Sequence, residues 1–213
     1  MVDLARVTID TMRRDPNFST MRELLVQAKG ILIFPSLVKA GFIVGGEVGT
    51  GILLQRNRAG SWGYPAFYRM GGGSFGLQIG VEISEVVFLI MTEGGMTSLL
   101  SHKVKLGADL SVALGPLGAG VTAETTTNVG ADIYSYSISK GVFGGISVDG
   151  AVLLPDDARN EAYYGKKVTT LDIATKTAVR NPEADSLRRA ISKIKADPKS
   201  KPKIEPKTEP KKP

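Results

Sequence analysis

The stretch from Ala28 to Leu54, AKGILIFPSLVKAGFIVGGEVGTGILL, most restricts what this chain can become. It is apolar enough for a core, but its glycines oppose a stable helix. Pro35 and Lys39 interrupt it before the roughly 18 apolar residues of a membrane span are reached. Glycines at this spacing suit bent or bulged strands. A weaker echo follows: Lys140-Gly-Val-Phe-Gly-Gly, Val148 and Leu153-Leu154 repeat the order of Lys39-Ala-Gly41, Gly45, Val48 and Leu53-Leu54. The echo predicts a strand pair used twice in a curved β framework, with Lys39 and Lys140 at matching places.

All 25 glycines lie between Gly30 and Gly165, so that window reads as one unit with glycine-free ends. Hydrophobic residues form 42% of the 213-residue chain, enough for a sizeable core. The absence of cysteine excludes disulfides and thiolate metal sites. The first residues lack the basic and apolar regions of an export signal. The expectation is a cytoplasmic-side protein, or a periplasmic one if a leader has been trimmed. Of the net charge of +6, the tail from Asp197 to Pro213 supplies +3, six lysines against three acids. Such an excess favours anionic partners.

Val2, Ala5, Ile9 and Met12 fall on one helical stripe, ending before Asp15-Pro16. Thr20 and Glu23 have capping-box spacing, predicting a second helix from about Thr20 to Lys29. Strand character then predominates over 31–34, 42–55, 61–70, 74–83 and 86–92, with Asn57-Arg-Ala-Gly60 as a hairpin turn. After a short helix over 93–102, strands are expected at 103–114, 118–127, 131–140 and 142–154. In 132–139 the tyrosine face is expected to be buried and the serine face not. Helices should follow at 156–164 and 169–179, and Asn181-Pro182-Glu183 starts a last one whose face is Ala184, Leu187, Ile191 and Ile194. The Lys/Pro/Glu tail, 197–213, has the composition of a disordered spacer.

Several motifs resemble chemistry and fail on context. Gly71-Gly-Gly-Ser-Phe-Gly76 fits both a dinucleotide fingerprint and a nucleophile elbow, but each needs a helix directly afterwards, and Leu77-Gln-Ile-Gly-Val reads as strand. His102, the single histidine, follows Ser74 too closely for the usual hydrolase order, and Ser74 reads as a bend residue. Glu82 and Glu85 have opposite strand parity, so only a bend at Ser84 would make them a carboxylate pair. Asp156, Asp157 and Glu161 read as a helix start before a metal site. The lysines remain: if Lys29, Lys39, Lys103, Lys105, Lys140, Lys166 and Lys167 converge, they form a surface for phosphate head groups.

Ala28-Lys-Gly-Ile-Leu-Ile through Lys39-Ala-Gly-Phe, Gly49-x-Gly51, Gly60-x-Trp62, Gly71 to Glu82, Gly115-Pro-Leu-Gly, Lys140 to Gly150 and Asn160-Glu-Ala-Tyr-Tyr-Gly occur in an order that resembles the SYLF domain. This is the lipid-binding domain also known as an actin-binding domain in yeast proteins. The likeness covers about residues 4 to 175, and Phe67-Tyr68 and Asn160 to Lys166 are most similar to bacterial members. It implies a non-enzymatic peripheral membrane protein that binds anionic phospholipids, phosphoinositides among them, through an amphipathic N-terminal helix. On this reading Val2, Ala5, Ile9 and Met12 insert, while Arg6, Arg13, Arg14, Lys29, Lys39, Lys140, Lys166 and Lys167 hold head groups. No cofactor, metal or nucleic acid is expected; the alternative is a protein-interaction scaffold in the cell envelope or linked to the cytoskeleton. The expected fold is α+β: a strongly bent, glycine-rich antiparallel sheet or partial barrel with N-terminal helices and a C-terminal helix packed on it. The lipid-binding domain would span 1–180, with helices in 2–29 and the β core in 30–165, then a C-terminal helix at 181–196 and the tail.

Overall fold

The computed structural model describes residues 1–42, 44–75, 80–101, 103–117, 130–139, 142–144, 148, 150–175 and 179–195. Helices α1 (Val2–Arg14), α2 (Ser19–Gln27), α3 (Glu93–Ser101), α4 (Asp157–Tyr164), α5 (Thr170–Thr175) and α6 (Asp185–Ser192) surround one sheet. Its strands are β1 (Gly30–Phe42), β2 (Val44–Gln55), β3 (Ala66–Phe75), β4 (Gly80–Ile90), β5 (Val104–Lys105), β6 (Val112–Leu114), β7 (Ile133–Ser139), β8 (Val142–Gly144) and β9 (Val152–Pro155). Their spatial order is β5-β9-β3-β2-β1-β4-β7-β6, with β8 also on β7, and only the β6–β7 pairing is parallel among those described. The sheet curls into a half-barrel, so the fold is α+β.

Half of the sheet is covered on both faces. Ile31, Ile33, Ile52, Leu54, Val87 and Leu89 join Ala5, Ile9 and Met12 of α1, Leu24 of α2 and Leu187 and Ile191 of α6. On the other face Leu32, Phe34, Leu53, Val86, Phe88 and Ile90 meet Met96 and Leu99 of α3 and Ile173 of α5. Burial on both sides explains why 31–34 and 86–90 are continuously apolar instead of alternating. The tyrosine face of β7 is buried as expected, but Ser135 and Ser137 are buried too, so β7 also lies between two layers.

The central strand β1 is longer than its sequence suggests. It continues through Pro35 and Lys39 to Phe42, with a register shift between Phe34 and Leu37 against β4 and between Ile33 and Leu37 against β2. Proline has no N–H for the ladder, and a bulge is where a strand tolerates one. Phe34 and Leu37 consequently face the same core although three residues apart. The Phe34 ring lies across β2, where a Cβ on Gly51 would come 2.8 Å from it and from the Ile33 carbonyl oxygen. Gly49-x-Gly51 is therefore the space the bulged strand needs.

Other expected boundaries shift. Ser74 pairs with Gly45 inside β3, so it is a strand residue and not a bend. Residues 80–90 are one unbroken strand with no bend at Ser84, and Glu82 and Glu85 lie on opposite faces. Thr20 is buried within α2, whose N-cap is Phe18; Asp15 caps the 3-10 turn Pro16–Phe18, accepting from Asn17 N at 2.8 Å. The echo is not a structural repeat: β8 pairs with β7 and β9 with β3 and β5, on opposite flanks of β1 and β2. The strand expected at 118–127 lies outside the described residues.

Gly51→Ala should lower stability by about 1–3 kcal/mol through overpacking against fixed backbone. At Gly73, where a Cβ meets nothing within 4 Å, alanine should be neutral or slightly stabilising. Urea unfolding midpoints of the two variants provide the check.

Candidate functional site

The stripe expected to enter a membrane is core. Val2, Ala5, Ile9 and Met12 are all buried, because α1 lies across the sheet with α2 and α6 beside it. The outward side of α1 instead carries Leu4 and Val7, 56% and 49% exposed, and Arg14. Arg6 and Arg13 are tied to Asp10 at 3.0 and 3.5 Å, and Arg22 of α2 closes the C-terminal end of α1 by donating to the Asp15 carbonyl at 2.8 Å.

The described candidate lysines do not converge. Lys29 pairs with Glu93 at 3.0 Å, while Lys39 pairs with Glu47 at 3.0 Å and lies level with Glu82 on its other side. Lys166 and Lys167 are exposed between α4 and α5. Lys140 and His102 lie outside the described residues. Among the described residues no three His, Cys, Asp or Glu side chains could hold a metal ion. No described helix is long and apolar enough to cross a membrane.

Two surfaces emerge, at opposite ends of the sheet. The first is a cationic groove of about 1100 Å³ at the Gly30 end, where Lys29 meets Arg56, Arg58, Arg180 and Arg188. Arg56 lies 5.2 Å over the Trp62 ring and donates to the Val26 and Gly60 carbonyls. Arg188 lies 4.1 Å over Tyr64 and donates to the Trp62 carbonyl at 2.9 Å and to Asp185 at 2.7 Å. That hydrogen bond from Arg188 holds the Asp185 carboxyl below the usual carboxylate range. The Asn57–Gly60 turn carries Arg58 outward, with Gly60 at φ 81° and its N–H bonded to the Asn57 carbonyl at 2.9 Å. These arginines are spread from residue 56 to 188, so the sequence held no local signal beyond Arg56-Asn-Arg58 beside Trp62.

The second surface is the far half of β1 to β4, a four-stranded wing. Cross-strand register places Gly71, Val48, Val38 and Ile83 in one row and Gly73, Gly46, Ala40 and Val81 in the next, on the face that α1 covers further back. Val48, Val81 and Ile83 are 63%, 61% and 54% exposed. No charged residue occurs in 40–46 or 70–81. On the opposite face Glu47, Lys39 and Glu82 form a charged row that bounds this zone.

The Asn160 motif is a structural latch. Asn160 is buried, accepts from Phe67 N at 2.8 Å and donates to Thr170 Oγ1 at 3.2 Å, joining β3, α4 and α5. Tyr164 donates to the Pro65 carbonyl at 2.7 Å, and burial pushes the Tyr163 hydroxyl up to about 12.

With this geometry in place, comparison with known proteins is informative. A family model, Ysc84, described as "Las17-binding protein actin regulator", matches residues 71–194. The chain belongs to the Ysc84, or SYLF, family. It is 33% identical over 171 residues to protein YSC84 of Saccharomyces cerevisiae, covering 79% of this chain and 36% of that one. It is 32% identical over 172 residues to LAS seventeen-binding protein 3 of the same yeast, covering 79% and 37%. The human SH3 domain-containing YSC84-like protein 1 is 29% identical over 185 residues, covering 86% and 54%. The chain thus spans about a third to a half of the length of these SYLF relatives.

Because the α1 stripe is core, Ile9→Ala should cost about 2–4 kcal/mol, whereas Leu4→Ala, on the outward side, should change stability by less than about 0.5 kcal/mol. Equilibrium urea unfolding distinguishes the two, and equal small effects would place the stripe outside the core.

Proposed function

We propose that this SYLF domain is a non-enzymatic peripheral membrane module that uses the wing as its apolar contact and favours anionic phospholipids. The observation that supports this reading is the charge-free end of the sheet. From the row of Lys39 to the strand ends at Phe42 and Val44 the wing extends about 10 Å, at 3.3 Å per residue. That matches the roughly 5–10 Å to which interfacial elements enter a bilayer.

The backbone sets the same limit. Among the described pairings β9 reaches only Gly71 of β3 and β7 only Ser84 of β4, so beyond these points no described strand pairs with the wing edges. Such edges are too costly in hydrocarbon but are satisfied among head groups and water. Lys105 stands on the same cross-strand line as Val152, Gly71 and Val48, so one cation flanks the apolar rows at head-group depth. The net charge of +6 adds long-range attraction to anionic lipid.

Val48, Val81 and Ile83, each more than half exposed, would contribute about 1 kcal/mol apiece on leaving water, or about a hundredfold in affinity together. Val48→Asp with Val81→Asp changes only exposed positions and should leave the thermal midpoint unaltered. Co-sedimentation with phosphatidylcholine vesicles containing phosphatidylserine should fall at least about tenfold. Unchanged binding by the folded double variant would exclude the wing as the contact.

A further inference from the structure

The cationic groove lies at the end of the sheet away from the wing, separated from the wing tip by on the order of 40 Å along the thirteen residues of β1. A domain seated on a membrane by its wing holds this groove out in water. What it could bind there is decided by how its cations are held.

Arg56 and Arg188 are braced. Each lies over an aromatic ring and directs its Nε and one Nη at backbone carbonyls or Asp185, so they supply fixed positive walls more than open donors. Arg58 and Arg180 are exposed, come from separate segments, and make no hydrogen bond or ion pair among the described residues. Free donors on separate segments suit a row of anionic groups better than a single phosphate, which needs its donors gathered at one point. The groove's volume of about 1100 Å³ is at the upper end of the range of about 300–1,000 Å³ found for small-molecule sites. Its lining also includes apolar side chains, Val26 on the rim, 38% exposed, with Ile173 and Val179 buried below. A bare polyphosphate gains nothing from these. Finally, the groove already holds one carboxylate, since Glu93 lies on Lys29 at 3.0 Å.

We infer that the groove is a docking site for an acidic peptide segment, in which carboxylates spaced along an extended chain meet Arg58 and Arg180 and interspersed apolar side chains rest on Val26. The net lining charge of five cations against Glu93 supplies the complementarity. Arginine is the suitable cation, since its planar fork holds a carboxylate by two parallel bonds. The domain would then link a membrane on its wing side to an acidic protein on its groove side.

The test is fluorescence anisotropy on the full chain with a labelled peptide of about twelve residues repeating Glu-Leu-Asp-Gly. Inorganic tripolyphosphate serves as competitor, and the same peptide with Lys in place of its acids as control. Arg58→Glu and Arg180→Glu remove no internal bond among the described residues, so both variants should keep the wild-type thermal midpoint. Each should weaken peptide binding about tenfold and the pair about a hundredfold, while vesicle co-sedimentation, compared at a salt concentration that screens the fall in net charge from +6 to +2 (two reversals of two charges each), stays at the wild-type level. Saturable binding of the acidic peptide with these losses supports the inference. Four outcomes overturn it: no binding by about 1 mM peptide, binding indifferent to both reversals, tighter binding of tripolyphosphate than of peptide, or loss of vesicle binding in the folded double variant. The wing reading fails separately, through Val48 and Val81, so the two failures are distinguishable.

Discussion

The bulge at Pro35 and Ser36 in the central strand is the constraint on which the rest depends. β1 is hydrogen-bonded on both sides, so one extra residue in it resets its facing against β2 and β4 together. Before the bulge, Ile31 and Ile33 point to α1 and α6; after it, Leu37 points the other way, and Val38 takes the helix side. A straight strand would exchange Val38 and Lys39 between faces. It would put an ammonium among Val48 and Ile83 and leave Glu47 and Glu82 without the cation that lies between them. The bulge therefore separates an apolar face from a charged one, and Gly49 and Gly51 give the Phe34 ring the room this requires.

Several charges of this SYLF domain are engaged with each other or with backbone carbonyls. Arg6 and Arg13 hold Asp10, Lys39 holds Glu47, Arg69 and Arg159 hold Asp156, and Arg188 holds Asp185. The partly exposed pairs on α1 and α6 contribute little stability, but all these pairs remove cations from the pool available to a ligand. Among the cations still directed at solvent are Arg58 and Arg180 in the groove. Net charge describes attraction at a distance, and the groove describes where attraction becomes contact.

Much of the fold was legible before any coordinates. The α1 span, the Asn181 cap, the Asn57–Gly60 turn and the α+β class all follow from local rules, because caps and turns are satisfied within a few residues. The strand boundaries of 61–92 were misplaced because glycine reads as a turn, whereas Gly71 to Gly73 lie within β3 against Gly46 to Val48. The α1 stripe is legible in the sequence, but its burial against the sheet is not. An amphipathic pattern fixes which side of a helix avoids water but not whether protein or lipid covers it, and here the sheet does.

Composition and local pattern set the element types, the apolar burden of the core, the absence of thiol chemistry and the glycine content that bends the sheet. These depend on backbone propensity and on residue composition, which need no partner to be read. Only the tertiary structure decided that Lys29 joins four arginines drawn from positions 56 to 188, and that Lys39 stands between Glu47 and Glu82. It also decided that Val48, Val81 and Ile83 share one uncovered face. The reason is register: which side chains become neighbours is set by strand pairing and by a one-residue bulge, and each depends on contacts far apart in the chain.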